Sequence, residues 1–290
     1  MTATSSNAGW DTDPPGTTWS ACLRSAIAAP SLHNTQPWRF RLGADHVDVF
    51  VDPSRRLAAI DPTGREAMIS VGAAILNLRV AILAAGRIPL TQLLPSPDEP
   101  ELMARVTLGA PHQPDATVFA LRSAVGKRRT NRRPFRDIAV REEVLDQLTA
   151  AARVEAATLT VADPAGREVL LDVIRSAQDT HDRYTSVEAG PTMVMLSTEA
   201  DTAVHWLRAG QALERVLLAA TVRGVANTPM TAPTEVPELH RLLSESGDRR
   251  VPQVILRLGY GDPCAPTPRR PLADVLESTR PDFASLRDRK

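Results

Sequence analysis

Cysteine is nearly missing from this 290-residue chain. Cys22 and Cys264 lie far apart, form no CxxC pair and can build no disulfide framework. That usage fits a reducing, cytoplasmic compartment. Net charge is missing too, because 34 basic and 34 acidic residues balance. A neutral chain has no general attraction for nucleic acid or anionic membranes, so any anion it binds must be gripped by a local cluster. Aromatic residues make up only 4%, which further weakens a nucleic-acid reading. No long apolar run is uninterrupted: the longest, around residues 75–85, is broken by Asn77 and Arg79 and reads as too short and too polar to span a bilayer. Residues 1–16 are polar and proline-rich. They lack the basic start and apolar run of a secretory signal and are expected to form a mobile tail. There is no GxGxxG after a strand, no Walker loop, no GxSxG and no HExxH. These absences argue against a Rossmann dinucleotide site, a nucleophile elbow and a zinc-protease site, and no metal ligands are assigned.

What is present is ample core material, with 43% hydrophobic residues. Periodicity and stop signals predict a helix over 18–29 and a hairpin from 38–41 and 46–51. A long helix over 65–85, apolar on most faces and stopped by Gly86, comes next, followed by a strand over 102–108. The layout then recurs: a helix over 142–152, a strand over 157–161, a helix over 168–178 and a strand over 192–196. A second long helix, 203–223, ends at Gly224, and 251–259 is a last strand. The long helices align by eye, with SVGAAILNLRVAILAAGR (70–87) on RAGQALERVLLAATVRGV (208–225). Gly72 falls on Gly210 and Gly86 on Gly224. Self-similarity of this kind implies a duplicated unit, although amphipathic helices rich in small residues also resemble one another by composition.

Four segments carry candidate chemistry. Residues 29–38 cluster Ser31, His33, Asn34, Thr35 and Gln36 between a helix end and a strand. Amides in such a turn can offer both donor and acceptor to a heteroaromatic edge, and the same residues also make an ordinary helix stop. Residues 127–133 hold five cations in seven positions. Arginine forks suit phosphate, and Thr130 adds a donor; a solvated basic surface run is the plainer alternative. Pro268 and Pro271 stiffen the backbone around Arg269 and Arg270, in what could equally be a tail segment. Residues 224–232, with Pro229, Met230, Thr231 and Ala232, would let a flat ligand approach the backbone, or form a plain connecting loop. His33 could donate a proton, but a lone histidine at a helix end is more often structural, and no catalytic side chain is assigned.

Taken together, RRTNR (128–132), SLHNTQPW (31–38), the two long helices and PRRPL (268–272) resemble the nitroreductase family over roughly residues 18–280. The usual member carries its arginine motif first in one short chain that dimerises around its flavins. Here the arginine motif lies in the second half and SLHNTQPW in the first, so only one complete site can form. That arrangement, and DPTGRE (61–66), resemble the Acg-type branch. The resemblance implies an α+β fold of mixed sheets and helices around two central helices. It implies a first half over 17–113 and a second over 114–290, joined as an intramolecular pseudo-dimer and hence monomeric. It implies FMN as cofactor. Arg128, Thr130, Arg132 and Arg269 would hold the phosphate, and Ser31, Asn34 and Gln36 would meet the ribityl side or ring edge. Pro229, Met230, Thr231 and Ala232 would lie along the isoalloxazine face. Thr231-Ala232 stands where typical members have Glu-Gly, which keeps the backbone N–H but loses the acid. The stretch over 178–190 is shorter than the lid-bearing insert of Acg-type relatives, so the flavin is expected to be more open.

The implied activity is an oxidoreductase passing electrons from NAD(P)H to a nitro- or quinone-like acceptor. The alternatives are an FMN-sequestering protein with little turnover and a non-flavin protein whose basic run binds phosphate-bearing partners.

Overall fold

The computed structural model describes residues 19–181, 192–230 and 250–277, with side chains described in α5 only through residue 174. The first strands and helices are α1 (Trp19–Ala26), a 3-10 turn (Leu32–Asn34), β1 (Trp38–Leu42), β2 (His46–Val51), α2 (Arg65–Ala84), β3 (Arg87–Leu93) and β4 (Leu102–Pro111). After α3 (Ala116–Val125) come α4 (Glu142–Val154), β5 (Thr158–Val161), α5 (Pro164–His181), β6 (Thr192–Thr198), α6 (Ala203–Val222), β7 (Ala226–Met230) and β8 (Val251–Gly259).

The strands form two four-stranded sheets, ordered β1-β2-β4-β3 and β5-β6-β8-β7. Each sheet has its last strand in the interior and the strand that follows a long helix at the edge. All the pairings of these strands are antiparallel. Among the described residues, parallel pairing, expected as part of mixed sheets, is confined to isolated bridges at Phe40–Leu276 and Thr130–Asn227. Antiparallel sheets with helices packed beside them are the α+β arrangement.

Three elements escaped the sequence reading. Pro89 within β3 argues against a strand, but an edge strand tolerates it, and the register shifts between Arg87 and Pro89. β7 was read as a ligand-facing or connecting loop; it pairs with β8 from Ala226 to Met230. α3 is short and contains β-branched and aromatic residues that weaken helix propensity. Its signal was Asp115, whose side chain accepts a hydrogen bond from the Val118 amide at 2.8 Å.

The two long helices, α2 and α6, form the most extensive packing in the protein. Their crossing is set by glycine. A Cβ on Gly72 would lie 2.3 Å from the Leu207 carbonyl oxygen, and one on Gly210 would lie 2.0 Å from that of Ile69. The glycines that aligned in sequence therefore meet in space. Gly86 (φ +81°) and Gly224 (φ +68°) occupy equivalent left-handed positions just past the two helix ends. Each half's core also takes one residue from the other's helix: Leu207 of α6 joins the core around α1, β1 and α2, and Ile69 of α2 joins the core around α4 and α6.

Among the described residues, α2 alone is long and apolar enough to cross a membrane, so the apolar stretch there is longer than the sequence suggested. Its most apolar stretch is 78% buried inside the protein, as befits a helix wrapped on several sides. Asp61 of the DPTGRE segment starts it, accepting hydrogen bonds from the amides of Glu66 (3.2 Å) and Ala67 (3.0 Å). Arg65 then ties this end to the second sheet through the Gln253 side chain at 3.1 Å.

Replacing Gly72 by alanine should raise helix propensity by about 1 kcal/mol but overpack the crossing by about 1–3 kcal/mol. The expected result is a lower Tm for Gly72→Ala and for Gly210→Ala in thermal unfolding. A rise in Tm for either would contradict this close approach.

Candidate functional site

The segment after α3 sits where the two central helices meet. Leu121, Ala124 and Val125 pack against Leu76 and Val80 of α2 and Leu218 of α6. This anchors the chain so that the next residues enter the protein. Arg128 follows and is only 3% exposed. Its Nε lies 3.6 Å from the Glu214 carboxylate of α6, too far for a hydrogen bond. Nε and Nη1 of Arg128 find no hydrogen-bond partner, nor does either oxygen of Glu214, which is fully buried.

The chain beyond Arg128 is pinned to β7 and β8. Thr130 bridges to Asn227, and the Asn131 amide donates to the Asn227 carbonyl at 2.9 Å. Thr228 Oγ1 donates to the Asn131 carbonyl at 2.5 Å. Arg257, stacked over Phe135 at 4.3 Å, donates to the Arg133 carbonyl at 2.9 Å. Arg257 thus shapes the loop that presents the basic run.

The turn after α1 approaches from the other half. His33 (φ 45°), Asn34 (φ 58°) and Gln36 (φ 50°) have left-handed backbones, three of the five such non-glycine residues among those described. Such positions cost on the order of 1 kcal/mol each outside Asn and persist where the surroundings over-determine them. Here the holding contacts are explicit. Ser31 Oγ accepts from the Gln36 amide (2.9 Å), and Gln36 Oε1 accepts from the Arg270 amide (2.7 Å). Asn34 Nδ2 donates to the Pro268 carbonyl at 3.1 Å. Arg269 Nη1 donates to Asn34 Oδ1 and Nη2 to the Ala28 carbonyl, both at 3.2 Å. The strand-like tail then continues to β1, where the Glu277 amide donates to the Phe40 carbonyl at 2.8 Å.

Arg128, Arg269 and Asn34 are thus brought together, one each from the second half's basic run, the tail and the first half's turn. Burial is the main cause that lowers the Arg128 pKa, with Glu214 opposing and Arg129 adding to the fall. Burial, then the Arg128 and Arg129 charges, bring the Arg269 pKa down to about 10, against the pull of Glu214. Arg269 Nε is also buried without a partner. Burial pushes the Glu214 carboxyl up to about 7, although Arg128, the nearby Asn77 amide and Arg269 hold it down. Two guanidinium groups beside one carboxylate, with the Arg129 charge acting on both and unpaired donors among them, make an electropositive pocket of unused hydrogen bonds. It suits a multiply charged oxyanion that can receive several N–H donors at once.

The other expected site residues fall differently. Ser31 and Gln36 are used in holding the turn. Thr130 is half-buried beside Arg128, and Arg132 is exposed. Pro229 pairs with Leu256 at the end of β7. Met230 is 4% exposed in a core with Ile174, Met193 and Ile255, so its side chain serves packing. Thr231, Ala232, the stretch after His181 and the N-terminal tail lie outside the described residues. Sequence reading missed Glu214 and Asn77 as members of the site. Their signal was an acid and an amide at mid-helix, each set among apolar residues of the two long helices.

The chain matches no protein-family model. In an alignment of 322 residues it is 31% identical to Rv3131 of Mycobacterium tuberculosis, provisionally named an NAD(P)H nitroreductase, with 91% of this chain and 92% of that protein covered. The chain belongs to the nitroreductase family. Another member, the M. tuberculosis protein acg, also provisionally an NAD(P)H nitroreductase, is 28% identical with 88% of this chain and 94% of that one covered. This nitroreductase chain also resembles the solved structure of Bacillus megaterium NfrA2, with TM-score 0.46 and 18% identity over 57% of this chain and 76% of that one.

The raised carboxyl of Glu214 has a sign. Between pH 4.5, its ordinary value, and about 7, the folded protein keeps a proton that the unfolded chain has released. Stability therefore falls as pH rises through that window and levels off above it. Glu214→Gln should remove this component, on the order of 3 kcal/mol at most. Urea unfolding of both proteins at pH 5 and pH 8 checks it, and identical pH dependence in the two would contradict the assignment.

Proposed function

We propose that this protein is an FMN-dependent oxidoreductase that passes electrons from NAD(P)H to a nitro- or quinone-like acceptor at one site between its halves. The observation that carries the reading is the convergence of Arg128, Arg269 and Asn34, with buried guanidinium donors left unpaired. A phosphate monoester fits those donors, since it offers three acceptor oxygens and up to two negative charges. The family supports FMN as its bearer: a solved nitroreductase from Desulfitobacterium hafniense is described with bound FMN, and the names of Rv3131 and acg point to NAD(P)H.

In this reading Arg128 and Arg269 hold the phosphate, with Thr130 and the exposed Arg132 as further donors at its solvent side. Ser31 and Gln36 act by fixing the turn that aims Asn34. The backbone of β7 at Pro229 and Met230 flanks the ring. Bound FMN would supply the two-electron chemistry between nicotinamide and acceptor. The protein's part is then to anchor, orient and limit water, and no side chain need move a proton.

The two sheets of like topology and the meeting of Gly72 with Gly210 support a duplicated unit with halves over 17–113 and 114–290. The counterpart of the 31–36 turn in the second half is the short link after α4. There Glu155 is bound by Arg79 at 2.6 Å and by Arg215 at 2.6 Å, so ion pairs fill the place where a second site would lie. With its pseudo-dimer interface inside one chain, the protein is proposed to be a monomer in the cytoplasm. Its partners would be small molecules only.

Arg128→Ala and Arg269→Ala should each weaken FMN binding about 10- to 100-fold, the loss of a charge-assisted contact, while leaving riboflavin binding unchanged. Fluorescence titration reads both, and equal losses for FMN and riboflavin would overturn the phosphate assignment. Anaerobic NADPH should bleach the FMN-loaded protein within seconds. No bleaching in an hour with NADPH or NADH would instead support FMN storage, the reading that the missing acid at Thr231-Ala232 favours.

A further inference from the structure

Glu214 has no part in the phosphate grip as described, yet it occupies its centre. Its carboxylate is fully buried, 3.6 Å from Arg128 and without a hydrogen-bonded donor. A pair built for each other would close to a charge-assisted hydrogen bond of about 2.8 Å. Here the offset leaves Nε and Nη1 of Arg128 free for something else. The Asn77 side chain is also fully buried, and neither its oxygen nor its nitrogen has a hydrogen-bond partner. A carboxylate can use only the donor half of an amide, whereas a carboxylic acid can use both halves, donating to Oδ1 and accepting from Nδ2.

Resting on the FMN reading above, we propose that Glu214 is the grip's internal counter-ion, which gives up Arg128 and takes a proton from solvent when a phosphate dianion enters. The incoming phosphate takes over the guanidinium donors. Glu214 then sits beside a dianion with no cation of its own, so the neutral acid, hydrogen-bonded to Asn77, is the favoured form. The charged groups facing it are Arg128 from the loop after α3 and Arg269 from the tail, both of which also feel Arg129, with Asn77 of α2 as the neutral neighbour. In the free protein burial pushes it up only to about 7, which leaves it largely ionised at pH 8 and ready to take the proton. Cofactor affinity would thus rise as pH falls toward neutrality. The carboxylate would also discriminate against weakly charged ligands, which cannot displace it.

The test is calorimetric titration of the whole protein with FMN at pH 8 in two buffers of different ionisation enthalpy. Free FMN phosphate is already a dianion there, its second pKa being about 6, so proton uptake reports the protein. The expected result is uptake approaching about one proton per FMN. It should vanish in Glu214→Gln, with tighter FMN binding at pH 8. It should persist in His33→Ala, which removes the other titratable side chain of the neighbouring turn. FMN binding without uptake, or with uptake retained in Glu214→Gln, overturns this proposal and leaves the phosphate grip standing. Failure of FMN to bind at any pH overturns both. Should Glu214→Gln fail to fold, the wild type and His33→Ala decide: uptake in both supports the proposal, and its absence or loss in His33→Ala overturns it.

Discussion

A guanidinium buried inside a protein with two of its three nitrogens, Nε and Nη1 of Arg128, left without hydrogen-bond partners is the constraint around which the rest is arranged. Desolvating Arg128 and Glu214 costs several kcal/mol per ion, and at 3.6 Å their attraction offsets that incompletely. Cores do not keep such pairs for stability, since apolar residues of similar size commonly do as well or better. The position opposite Glu214 in the duplicated helix is Leu76, which is fully buried in just that way. The polar version stands where the turn with Asn34 and the tail with Arg269 converge, which is the difference on which the proposed site rests.

The fold serves this convergence by interlocking its halves. The glycine crossing brings α2 and α6 into backbone contact, so Asn77 and Glu214 share one buried layer. α3 wedges against both helices and delivers Arg128. The tail crosses from β8 back to β1, and on its way places Arg269 over the turn. Chain connectivity enforces this meeting, and loop closure costs little beyond what the fold already requires. Elsewhere along the two helices Arg79, Glu155, Arg215 and Gln211 form an ion-paired network, with Arg79 Nη1 donating to Glu155 and to Gln211 at 2.6 Å while its Nε has no partner.

Much of this was legible in the sequence because it rests on local signals. The glycine stops, the apolar faces of α2 and α6 and the alternation of β1 and β2 all follow from backbone and side-chain periodicity. The 31–38 and 128–132 motifs were joined into one site by their resemblance to the nitroreductase family, since by residue type alone each also fits an ordinary turn or a solvated basic run. What was not legible depended on tertiary context. Pro89 is tolerated only because β3 is an edge strand. Met230 packs inward because β7 pairs with β8, which composition did not foretell. Ser31 and Gln36 hold a strained turn through their side chains, a role that only the folded chain displays. Glu214 was hidden because a charge in an apolar helix reads as surface until its neighbours are known. Arg132 and Arg128 look alike in sequence, and only burial separates them.

The most direct measurement is the position of the phosphate in a crystal structure of the FMN-loaded protein. The account predicts phosphate oxygens at about 2.7–2.9 Å from Arg128 and Arg269, with Asn34 of the opposite half alongside. A phosphate held at the exposed Arg132 and Arg133 alone, with Arg128 still turned to Glu214, would contradict it.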